Sequence, residues 1–266
     1  HAAMLDWYAG ASREHDDISC GFELDTSKAE LPAAAVHFQP RSHTELVRPF
    51  CEAVGEPERA DLYLDLNARM PQGWPLAFFG MFRGRPGSPL RVCGYLGREE
   101  TRACSQDPAR LQGVFDTVGF AAYDAQMLAQ ASALLATVPV GADFQFDVFP
   151  DGSLGPTFAI DLQFGIEQPQ AVRASFADGP GARVMRLLEG WDAADGRWML
   201  AAESAFARAL PVEHEGGAVC RYAFTLMPQW AKARWTGGQL QPAKLYHLAH
   251  AGLLDPSTLG NERDVC

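Results

Sequence analysis

The chain lacks most of the short patterns that announce a chemistry. Six cysteines (Cys20, Cys51, Cys93, Cys104, Cys220 and Cys266) are scattered with no Cys-x-x-Cys among them. That spacing outlines no zinc site and reads as reduced, mostly structural thiols. There is no Gly-x-Ser-x-Gly, no P-loop and no His-Glu-x-x-His, so the common hydrolase, nucleotide and zinc-protease signatures are excluded. No apolar run approaches the length of a membrane span. No basic run occurs, and 33 Asp+Glu outweigh 22 Lys+Arg to give a net charge of −11, which opposes nonspecific binding to nucleic acid. Residues 1–25 carry no cleavable signal pattern. These absences predict a cytoplasmic, soluble protein with no organic cofactor, no protein-held metal, no nucleic-acid partner and no membrane partner.

The chain has 266 residues, of which 47% are hydrophobic, enough for one large domain or two small ones. No shift in composition marks a boundary, so a single domain over 1–266 is expected. Within it, residues 1–40 read as irregular, 41–252 as the folded body and 253–266 as a tail. Ala33–Phe38 reads as a short strand. Ser42–Gly55 reads as a helix with a kink at Pro49. Asp61–Arg69 (DLYLDLNAR) alternates, with Leu62, Leu64 and Leu66 on one face and Tyr63, Asp65, Asn67 and Arg69 on the other. This spacing predicts a strand, followed by strands at Leu76–Arg83 and Leu90–Leu96. Helices are expected at Pro108–Gly119, Tyr123–Val138, Gln170–Ala177, Arg183–Glu189 and Trp198–Leu210. Phe144–Phe149 and Thr157–Phe164 form a predicted antiparallel pair joined through Pro150-Asp151-Gly152.

The last part of the chain is the most informative. Val219–Leu226 and Trp230–Trp235 read as strand, Gly237-Gly238 as a tight turn, and Ala243–His250 as the returning strand. Side chains alternate along a strand, so Lys232 and Arg234 share a face, as do Lys244 and Tyr246. Brought together, these cations and the phenol make an anion grip. His247 and His250 fall on opposite faces, and His37 and His43 flank Pro40-Arg41 as loop residues, so neither pair is expected to bind a metal.

Strands buried on both faces read as continuous apolar runs, whereas several here carry Asp, Asn, Gln, Lys and Tyr on alternate positions. Two α+β architectures fit. One is an open sheet with helices on one side. The other is an antiparallel β-barrel ringed by helices, whose polar face lines a lumen. The number of strands and their long helical connections favour the barrel, because closure removes edges.

Three stretches resemble the ABBA-type prenyltransferases, most closely the cyanobactin peptide prenyltransferases: Leu64–Arg69 with Arg83, Phe146–Leu162, and Ala243–His247. The sequence departs from the family in having no cation on Phe144–Phe149 and in reading Ile160-Asp161-Leu162-Gln163-Phe164 where the family has Ile-Glu-Leu-Tyr-Pro. The resemblance implies a repeated α-β-β barrel. It also implies transfer of a dimethylallyl- or geranyl-type group from an isoprenyl diphosphate to a peptide or aromatic acceptor, often with Mg²⁺. Such chemistry needs positive charge and donors on the leaving diphosphate, for which Arg69, Arg83, Arg221, Lys232, Arg234, Lys244 and Tyr246 are the candidates. It needs aromatic shielding of the allylic cation, here Tyr63, Phe149 and Trp230, and a carboxylate base, here Asp65, Asp147 or Asp161. The competing expectation is a non-catalytic peptide-binding or partner protein.

Overall fold

The computed structural model describes residues 2–23, 34–84, 87–166, 168–213 and 219–253. In chain order its first elements are α1 (Ala2–Glu14), β1 (Ser19–Glu23), β2 (Ala35–Gln39), a 3-10 turn (Thr44–Leu46), α2 (Val47–Val54) and α3 (Arg59–Arg69). Next come β3 (Leu76–Met81), β4 (Leu90–Leu96), α4 (Arg98–Gln106), α5 (Pro108–Val118) and α6 (Ala125–Leu135). β5 (Ala142–Val148), β6 (Leu154–Gln163), α7 (Pro169–Ala177), α8 (Pro180–Gly190) and α9 (Trp198–Glu203) follow. The chain closes with β7 (Phe206–Glu213), β8 (Val219–Thr236), β9 (Gln239–Leu240) and β10 (Lys244–Leu253). The strands form one antiparallel sheet in the order β1-β2-β3-β4-β5-β6-β8-β10, and β7 and β9 each pair β8 off that path. Among the described residues no pairing joins β1 to β10, so the architecture is α+β with an open sheet, not the closed barrel expected from the strand count. None of the described helices is long and apolar enough to cross a membrane.

The chain divides into two compact units. One comprises His1–Ala136, Gly141–Ile160 and Arg234–Gln241; the other comprises Thr137–Val140, Asp161–Ala233 and Pro242–Cys266.

The first unit buries one sheet face under its helices. Phe38 of β2 stacks on Phe50 of α2 at 4.3 Å, and both meet Phe79 of β3 edge-on. Tyr63 of α3 lies 4.9 Å from Phe79, and Phe115 of α5 meets Phe146 and Phe158. Such ring pairs contribute about 0.5–1.5 kcal/mol each beyond the area they bury. α5 follows from its own residues: Asp107 accepts from the Ala109 N–H at 3.0 Å, Pro108 starts the helix and Gly119 ends it at φ 82°. Gly94 is required by close approach, because a side chain there would run into the Phe144 ring and the Pro75 carbonyl.

Three sequence expectations are corrected in this unit. Asp61–Arg69 is helix, not strand. Its buried positions, Arg59, Ala60, Tyr63 and Leu66, recur at helical spacing, and the leucine alternation is coincidental over so short a run. The described residues within 1–40 are not irregular, because α1, β1 and β2 form there and Trp7 packs edge-on against Phe38 and Phe50. Pro49 produces no break, because α2 begins at Val47 and leaves the proline in the first turn, where no intrahelical N–H bond is lost.

In the second unit Phe164 meets Phe176 of α7 at 5.2 Å, and Phe176 lies 6.1 Å from Trp198 of α9. The helix expected over Trp198–Leu210 ends at Glu203, and Phe206–Glu213 becomes β7. Alternation of Phe206, Arg208, Leu210 and Val212 is the strand signal, and the three apolar side chains of that row are exposed.

Candidate functional site

In the second unit β10 runs antiparallel to β8 with Lys244 opposite Lys232 and Tyr246 opposite Trp230. Directly opposed side chains in such a ladder lie about 4.5–5.5 Å apart at Cβ, so two like charges there repel. Asp161 of β6 offsets part of that repulsion, its Oδ2 lying 3.4 Å from the Lys232 Nζ. Both partners of this ion pair are nearly buried, at 15% and 8% side-chain exposure, while Lys244 is exposed. The Tyr246 ring lies parallel to Trp230 at 5.2 Å and 10°, and the Lys232 Nζ sits 5.3 Å from the Tyr246 centroid. The sequence placed these residues on one surface, and the register brings them together: two cations, a carboxylate and a flat aromatic pair.

A cavity of about 540 Å³ occupies the same unit. Its walls include Met185, Asp192, Trp198, Leu245 and His247. Leu245 and His247 alternate with Lys244 and Tyr246 along β10, so this cavity opens on the other face of that strand.

The first unit holds a second charged pair. Arg91 of β4 faces Asp147 of β5 directly across the ladder, with Nε and Nη2 donating to the two carboxylate oxygens at 2.9 and 3.1 Å. Both side chains are only 15% exposed. The guanidinium also rests 4.7 Å above the Phe82 ring. Burial works against the charge on Arg91, but the fork to Asp147 outweighs it and raises its pKa. Asp147 is therefore committed to an ion pair with the neighbouring strand. The alternation of Arg91, Cys93 and Tyr95 on β4 was the available signal.

The remaining candidates, except Arg221, belong to the first unit. Tyr63 is fully buried under the sheet against Phe79, and burial pushes its phenol pKa up, so it shields no ligand. Asp65 is exposed on α3, a helix and not the strand expected to carry it into a lumen. Arg69, exposed at the end of α3, donates to the Val118 carbonyl at 2.8 Å. Arg83 is engaged by Glu56 and, at 2.7 Å, by the Val54 carbonyl. Phe149 is half-buried in the β5–β6 turn, where its backbone N–H donates to Ser153 at 2.9 Å. Arg221 lies in the stretch of β8 that pairs with β7, remote along the strand from Lys232. Arg234 is half-buried on β8 and its carbonyl accepts from the Gln241 N–H at 2.8 Å. A search of protein-family models finds no match to this chain, and neither do searches of curated proteins and of solved structures.

Proposed function

We propose that the β6, β8 and β10 face of the second unit binds an isoprenyl diphosphate, and that the protein transfers its allylic group to a peptide or aromatic acceptor. One observation carries this reading: two lysines opposed across a ladder, beside a flat Trp–Tyr pair. An anion set between Lys232 and Lys244 turns a repulsive pair into an attractive one, and a diphosphate brings enough charge to engage both. As the C–O bond to the diphosphate breaks, the lysines and the Tyr246 hydroxyl take up the leaving charge. The Trp230 face stabilises the allylic cation by cation–π attraction and keeps water from it. The acceptor nucleophile then forms the new bond and gives up its proton. Asp161, released from Lys232 as the diphosphate takes over that ammonium, is the carboxylate placed to receive it.

Protein-held Mg²⁺ does not fit this cluster. A hard dication is bound through one or two carboxylates together with substrate oxygens, whereas the carboxylate of this cluster, Asp161, is taken up first by Lys232 and then by the proton of the acceptor. No step is routed through the ion.

The test is mass spectrometry of candidate peptides and indoles incubated with dimethylallyl and geranyl diphosphates. A prenyl mass gain that is lost in Lys232→Ala supports the reading. No product, together with no thermal shift by either diphosphate, overturns it. A second reading, a non-catalytic peptide-binding protein, is favoured by β7. Its only strand partner among the described residues is β8, and it exposes Phe206, Leu210 and Val212, features suited to strand addition by a peptide.

A further inference from the structure

A different cluster, in the first unit, has the makings of a metal site. His15 follows the last turn of α1, its backbone N–H still bonded to the Ala11 carbonyl at 3.0 Å. His43 lies in the turn after β2, closed by its own N–H to Pro40 at 2.9 Å, and Glu45 sits in the 3-10 turn that leads into α2. Two segments, the end of α1 and the capped 3-10 turn before α2, thus deliver two imidazoles and a carboxylate to one place. One ligand atom from each lies within 4.8 Å of the others. The two imidazole rings are 4.3 Å apart, and the His43 Nδ1 is 3.1 Å from the Glu45 Oε1. Ligand atoms on a tetrahedral zinc with bonds of about 2.0–2.1 Å are separated by roughly 3.3 Å, so that last pair is already at bonding spacing.

The other nitrogen of His43 supplies an independent sign. Its Nε2 is 3.0 Å from the Asp17 Oδ1. A histidine that ligates through one nitrogen commonly donates the other N–H to a carboxylate, which fixes its tautomer and strengthens it as a ligand. A neutral imidazole has one N–H to give, and Asp17 and Glu45 both only accept. An imidazolium would donate to both carboxylates; in the neutral ring that a metal ion requires, a dication between Nδ1 and Glu45 satisfies the contact that the single N–H leaves.

We infer that His15, His43 and Glu45, with Asp17 orienting His43, form a site for a zinc-class divalent metal ion that fastens the end of α1 to the entry of α2. Imidazole donors select zinc, cobalt or nickel over magnesium. Three protein ligands leave a fourth position open to water or an anion. The fastened helix is the one whose Trp7 packs on Phe38 and Phe50.

The test uses the untagged full chain, stripped with a chelator and titrated with Co²⁺ by visible absorption and with Zn²⁺ by calorimetry. The expected result is one ion per chain, a cobalt spectrum of low coordination number and a rise in Tm with Zn²⁺. His43→Ala and His15→Ala should each weaken binding at least tenfold. Asp17→Asn, which keeps all three ligands, should weaken it about 10–100-fold. His250→Ala should leave it unchanged. Equal binding by wild type and the His15→Ala/His43→Ala double variant, or no binding at all, overturns the site. If circular dichroism shows the alanine variants misfolded, Asp17→Asn decides by itself. No readout depends on transfer activity.

Discussion

Lys244 is exposed and faces Lys232 across the ladder, so Lys244→Ala removes a repulsion and leaves the fold intact. Its stability should change by less than about 0.5 kcal/mol, as for other surface substitutions. Diphosphate affinity should fall about tenfold or more, and calorimetry separates the two effects. Glu100 is the opposite case, a buried carboxylate with a structural task. It accepts from the Arg110 fork at 2.8 and 2.6 Å and from the Trp74 indole N–H at 2.9 Å. The Arg110 bond, then the Trp74 bond, hold its pKa below the usual carboxylate range against the effect of burial. A depressed folded-state pKa contributes stability that is present above the unfolded value, about 4.3, and is lost as pH falls through the lower folded value. Denaturation of wild type and Glu100→Ala should therefore differ most at neutral pH, and the difference should narrow in acid. The neutral-pH difference should be about 1–3 kcal/mol, because the variant leaves the buried Trp74 N–H without an acceptor. Burial also pushes the thiols of Cys51 and Cys104 up to about 12, so peptide mapping after alkylation at pH 8 should show both unlabelled until the protein unfolds.

At the level of elements, α3 separates the two readings of DLYLDLNAR. Asp65→Pro in a helix interior should cost about 3 kcal/mol, while Asp65→Asn should leave stability and any transfer activity unchanged. A nine-residue string fits periods of 2 and 3.6 alike, and only the partner on Tyr63, the Phe79 ring, decides between them. α4 was hidden for a different reason. Its buried face is Glu100, Thr101 and Cys104, polar residues that leave no apolar stripe to read. β7 escaped because Ala-rich sequence continues past Glu203, and the alternation begins only at Phe206. The β8–β9 turn was legible: Gly237 and Gly238 both take positive φ, 58° and 79°, as a two-residue hairpin turn demands.

For the whole molecule, the polar alternation marked β5, β6 and the β8–β10 hairpin as strands, and it marked the helix α3 as one too. It could not say whether the sheet closes, because closure depends on pairing between segments distant in sequence. The candidate site was legible where its residues sit on one hairpin, Lys232 with Lys244 and Trp230 with Tyr246, and illegible where it needed a partner from afar, Asp161 on Lys232. A ligand that binds only the folded chain stabilises it by about 2.7 kcal/mol at a hundred times its dissociation constant. Thermal melts with dimethylallyl diphosphate should show that shift in wild type and lose most of it in Lys232→Ala. The flat contact between Trp230 and Tyr246 also gives the protein an optical window on this chemistry. Trp74 and Trp235 are sealed in the interior with their indole N–H groups engaged, whereas Trp230 is half-buried on the proposed binding face. Its emission should dim or shift colour when an allylic ligand slides over the ring, and Trp230→Phe should silence that signal while the glow of the interior indoles persists.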